Sequence, residues 1–79
     1  MRIYDMVNDK AIDSICLFLT PDEAKAVVEH LTRMISRPIR DHGHIESDDD
    51  TTDLTVCVYE VSDLTGFHPR ARELILTSK

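Results

Sequence analysis

The stretch "TPDEAKAVVEHLTRMIS", residues 20–36, decides the fold of this chain. Thr20 can cap a helix, Pro21 suits the first helical position because the N–H it lacks would have no partner there, and Glu23 completes a capping box. Ala24, Val27, Val28, Leu31, Met34 and Ile35 recur at i, i+3, i+4 and i+7. That spacing predicts one apolar stripe against a core, with Lys25, Glu29, His30, Arg33 and Arg37 in water. Glu29 precedes Arg33 by four residues, and Arg33 and Arg37 lie near the negative end of the helix dipole. Pro38 ends the helix.

Upstream, "RIYDMV" at 2–7 and "AIDSICLFL" at 11–19 are rich in β-formers and flank the turn-like Asn8-Asp9-Lys10, so they predict a hairpin. In its longer arm Ile12, Ser14, Cys16 and Phe18 alternate with Ile15, Leu17 and Leu19. Both faces are largely apolar, as in an interior strand. Downstream, "DLTVCVYEV" at 53–61 alternates Leu54, Val56 and Val58 against Thr55, Cys57, Tyr59 and Val61, and it too reads as central. His42 to Ser47 is expected to pair with it across 48–52 as a polar edge strand. A turn over 62–66 follows. Pro69 can then open a short helix with Ala71, Leu74 and Ile75 inward, although 74–77 would also tolerate a strand.

The order β-β-α-β-β, with a possible C-terminal helix, predicts an α+β two-layer sandwich. One antiparallel sheet carries the main helix on one face, and residues 1–79 form a single domain. One helix of about four turns cannot cover every apolar position of such a sheet, so leftovers of the Ile15, Leu17 and Leu54 type predict a dimer or a partner surface.

Apolar residues at 42% and charged residues at 30% fit a folded globule rather than a disordered chain. A chain of this length buries only about 60 to 65% of its unfolded surface, which argues against a large enclosed active site. Asp5, Asp9, Lys10 and Asp13 interrupt any early apolar run, so neither a signal peptide nor a membrane span is expected and a cytoplasmic location follows. Cys16 and Cys57 lie in apolar runs without CxxC spacing and read as buried, reduced thiols.

The net charge of −6 is unevenly spread. Asp41, Glu46, Asp48, Asp49, Asp50, Asp53, Glu60 and Asp63 lie in a stretch without Lys or Arg and contribute −8, while the remainder sums to +2. Nucleic acid is therefore a poor partner, since phosphate binding needs clustered cations. A basic protein surface is a better one.

Within "DHGHIESDDD", residues 41–50, an extended backbone would put His42, His44 and Glu46 on one face, with alternate Cβ atoms about 6.5 to 7 Å apart. Such a His-x-His-x-Glu row could hold a divalent metal such as zinc and leave a coordination position for water. The competing reading is a solvated edge strand that needs no ligand. Asp48-Asp49-Asp50 lacks the alternating ligands, glycine and distal glutamate of an EF-hand loop. Gly43 and Gly66 are the only glycines, which excludes the glycine-rich phosphate cradles, and no G-x-S-x-G elbow occurs. His30, on the wet side of the helix, and His68, beside Pro69, could approach in three dimensions, but their spacing does not require either as a ligand. No catalytic residue is assigned, and the preferred reading is a partner-binding surface built from Asp41, Glu46, Asp48, Asp49, Asp50 and Asp53.

The segments "LTPDEAKAVVEHL", "DHGHIESDD" and "LTVCVYEVSDLTGFHPRARELI" resemble a group of small uncharacterised bacterial proteins, some of which are similar to immunity proteins that neutralise toxins. The resemblance implies a compact α+β inhibitor or accessory protein.

Overall fold

Helix α1, Pro21–Ser36, begins where its capping box sets it. The Thr20 amide donates to Glu23 Oε1 at 2.8 Å, and the Glu23 amide donates to Thr20 Oγ1 at 3.1 Å. Two of the donors that a helix start leaves without intrahelical partners are thus satisfied reciprocally. The computed structural model describes residues 1–36 and 42–77, the side chain of His42 excepted. The expectations placed on Arg37, Pro38 and Asp41 lie outside those residues.

The other elements are β1 (Ile3–Asp5), β2 (Lys10–Ile12), β3 (His42–Glu46), β4 (Asp53–Cys57) and α2 (Pro69–Thr77), a mixed α+β arrangement. The strands described do not join into one sheet. Among the described residues β1 pairs only with β2, and β3 only with β4, each antiparallel. The expectation of one sheet with β4 at its centre is corrected accordingly, since β4 has a single neighbour among the described residues.

The β3–β4 ladder has five rungs: His42↔Cys57, Gly43↔Val56, His44↔Thr55, Ile45↔Leu54 and Glu46↔Asp53. Because side chains alternate, Gly43 and Ile45 are buried, with Val56 and Leu54 half-buried opposite them, while His44 and Glu46 are exposed on the other face. Helix α1 packs on the inner face, and Met34 is fully buried there.

The helix is rotated relative to its predicted stripe. Residues advance about 100° each around a helix, so Glu23, Val27, His30 and Met34 share one face, and Val28, Leu31 and Ile35 lie roughly 100° further round. The first group is half-buried or buried. Val28 is 61% and Ile35 71% exposed, and Leu31 is also exposed. His30, expected in water, instead meets Gly43, where an added Cβ would fall 2.9 Å from His30 Cβ and Cγ. The lack of a side chain at Gly43 lets helix and strand approach closely enough to turn His30 inward.

The first hairpin is shorter than its sequence suggests. Its register, Ile3↔Ile12 to Asp5↔Lys10, is exhausted after three rungs. Residues 13–19 therefore extend past the described partner strand and take no regular structure. β-forming side chains without a ladder do not make a strand. Among the described residues no hydrogen bond engages the backbone of residues 14–19. Phe18 is 89% exposed, and Cys16 and Cys57 are both free and exposed, correcting the expectation of buried thiols.

Helix α2 forms as predicted, with Leu74 and Ile75 buried. His68 caps it, its Nδ1 accepting the Arg70 amide at 3.2 Å. Arg70 clasps the first hairpin: its Nε donates to Asp9 Oδ1 at 2.8 Å, and its guanidinium lies 5.5 Å from the centre of the Tyr4 ring. The Tyr4 hydroxyl donates to the same Asp9 oxygen at 2.5 Å. These two hydrogen bonds, Tyr4 first and Arg70 second, hold the Asp9 carboxyl below the usual range. At the other end of α2, Arg2 Nε donates to the Leu74 carbonyl at 2.9 Å, a cation satisfying the helix's negative end. Met34, Ile45, Leu74 and Ile75, from α1, β3 and α2, form the buried core.

Candidate recognition site

The loop joining β3 to β4 carries the acidic run, and hydroxyls and amides hold it. The Ser47 amide donates to the Thr52 carbonyl at 2.8 Å, and the Asp50 amide to the Ser47 carbonyl at 3.0 Å. Asp50 closes the turn with φ of 59°, a left-handed conformation that Asp tolerates better than most residues. Ser47 Oγ accepts the Thr51 and Thr52 amides and donates to Asp49 Oδ1 at 2.7 Å. Thr51 adds its amide and its hydroxyl to that same oxygen. The Ser47 hydroxyl, then those from Thr51, bring the Asp49 carboxyl down to about 2, because each donor favours the ionised form.

Asp48 anchors the loop to the start of α1. Its amide donates to Glu23 Oε2 at 2.8 Å, and its carboxylate accepts the Thr20 hydroxyl at 2.7 Å. The Glu23 carboxyl takes one backbone amide on each oxygen, Thr20's and Asp48's, and these lower its pKa. An anionic loop beside a helix N-terminus is also favoured by the helix dipole.

At the mouth of the loop Glu46 and Asp53 stand directly opposite each other across the ladder, both exposed. Like charges at that position destabilise an antiparallel pair. Among the described residues, Glu46, Asp48, Asp49, Asp50 and Asp53 have no cationic partner; the ion pairs there are those of Arg70 with Asp9 and Glu73. The structure thus brings together five of the six predicted partner-binding residues. The sixth, Asp41, lies outside the described residues.

For the predicted metal row, His44 and Glu46 lie on one exposed strand face, and the Thr55 hydroxyl sits 3.0 Å from His44 Nδ1. No group of three potential ligands converges among the described residues, which do not include the His42 side chain. The supporting residues Thr20, Glu23, Ser47 and Thr51 were not singled out by sequence as part of a site. Their signal was present in the Ser47-x-Asp49-x-Thr51 spacing, which suits local side-chain-to-backbone turns. No helix among the described residues is long and apolar enough to cross a membrane. In comparisons with family models, curated proteins and solved structures, nothing matches the chain.

Proposed function

We propose that this is a small acidic interaction protein, an inhibitor or immunity-type accessory protein, that binds a basic protein partner through the 41–63 region. The observation that carries the reading is the Glu46–Asp53 opposition. Two exposed carboxylates set against each other weaken the hairpin that bears them, and a partner's Lys or Arg seated between them would turn that repulsion into attraction. The adjoining Asp48 to Asp50 loop is already ordered by its hydroxyl contacts, so little conformational freedom is lost on docking. Steering by such a patch raises the association rate and makes it fall with salt.

The test couples stability to binding. Asp53→Thr should raise the melting temperature by about 1 to 4 °C, since the like-charge rung disappears. It should also slow association with a partner obtained by co-purification from the native cell. A variant that binds as fast as the parent at low salt, or a partner whose on-rate ignores salt, sinks the reading.

The strand register favours a second reading, a divalent metal held by His42, His44 and Glu46. It sets Cys57 opposite His42 and so adds a thiol to the same ladder face. Metal analysis of tag-free protein and of His44→Ala decides it; metal-free parent protein with melting indifferent to chelator removes it.

A further inference from the structure

We infer that residues 15–19 form the seam of a homodimer, pairing antiparallel with the same residues of a second copy of this chain. The first support is area. The chain exposes 6212 Å², whereas a folded monomer of 9.0 kDa typically exposes about 4,850 Å². The surplus of roughly 1,350 Å² per chain exceeds the ~800 Å² that each partner contributes to a standard interface and falls in the range of obligate homodimers. The radius of gyration agrees: 13.1 Å, against about 11.6 Å for a compact chain of this length.

The second support is that part of the exposed apolar surface is gathered in one short run. Ile15, Leu17, Phe18 and Leu19 are exposed in one uncharged run, in a stretch whose backbone donors and acceptors have no protein partner among the described residues. An apolar run whose backbone groups are unpaired can take up a partner strand. A two-fold axis makes such an addition self-complementary.

The sequence selects the register. Centred on Leu17, the ladder pairs Leu17 with its own copy, Ile15 with Leu19 and Cys16 with Phe18, and Ser14 meets Thr20 at the margin. A centre at Cys16 would set Asp13 against Leu19. A centre at Phe18 would set Ile15 against Pro21, which has no N–H to give. The inference does not depend on what the acidic loop binds.

Light scattering on the full chain at micromolar concentration should return twice 9.0 kDa. Leu17→Arg should return 9.0 kDa with unchanged far-ultraviolet circular dichroism, its dimer dissociation constant raised by at least about tenfold. Leu17→Cys in a Cys16→Ser, Cys57→Ser background should form a disulfide-linked dimer under mild oxidation, because the axis places that position opposite itself. A monomeric parent chain overturns the inference. So does a dimer that survives Leu17→Arg or leaves Leu17→Cys uncrosslinked.

Discussion

The two hairpins of this protein differ in what supports them. The β3–β4 hairpin has five rungs, a helix across its inner face and a loop tied to that helix by Thr20, Glu23 and Asp48. The β1–β2 hairpin has three rungs and is held from one side, by Arg70 of α2 reaching Asp9 and Tyr4. Its sequence is the more apolar and β-prone of the two, yet it makes the shorter ladder. Strand formation here follows the supply of partners and of a surface to pack on, not local propensity.

The largest effect should come from the point where the supported hairpin meets its helix. Gly43→Ala puts a Cβ 2.9 Å from the base of the His30 side chain, where neither neighbour can swing away. It should destabilise by about 1 to 3 kcal/mol, a sizeable part of what so small a core supplies. Adding His30→Ala should restore part of the loss in thermal melts, because two of the three crowding atoms disappear; a fully tolerated Gly43→Ala would show that helix and strand are not so closely apposed.

Acid should act next, on the supported hairpin and, through Asp9, on the first one as well. Glu23 and Asp49 have folded pKa values below their ordinary 4.5 and 3.8, Asp49 at about 2. Their contribution to stability is therefore complete above about pH 4.5 and is lost as the pH falls towards 2. Melting temperature should decline through that window, and Asp49→Asn should flatten the lower part of the decline. An equally steep curve for the variant would detach the loop hydrogen bonds from stability.

The smallest global effect belongs to Arg70→Ala, which removes the tie of α2 to Asp9 and Tyr4 and leaves that of Arg2 to Leu74 in place. Amide exchange of residues 3–12 should accelerate while that of β3 and β4 stays unchanged. Equal acceleration in both ladders would mean that the two hairpins open as one unit, and the contrast drawn between them would fail.

How far the sequence could be read follows the same division. The start of α1, the β3–β4 hairpin and α2 were legible because short-range chemistry decides them: a capping box, an alternating edge strand, a proline at a helix start. The rotation of α1 was not. Its apolar residues span a stripe wide enough for two choices of inward face, and the choice is made by Gly43, which lies outside the helix on β3. The end of β2 at Ile12 was hidden for a related reason, since alternation describes a strand's faces and says nothing about whether a neighbour exists beside it. In the site, the acidic residues were evident from charge alone. That Glu46 confronts Asp53 required the register, and that Thr20 reaches the loop required the packed helix.

The Glu23 carboxylate grips the first turn of α1 with one oxygen and the acidic loop with the other. A single proton delivered there would loosen both grips together, so helix fraying and loop release form one event. The set of the acidic loop at Asp48 and the integrity of the helix start are in that sense two readings of the same latch. A protein seated on the loop would tighten a turn of helix that it need not touch.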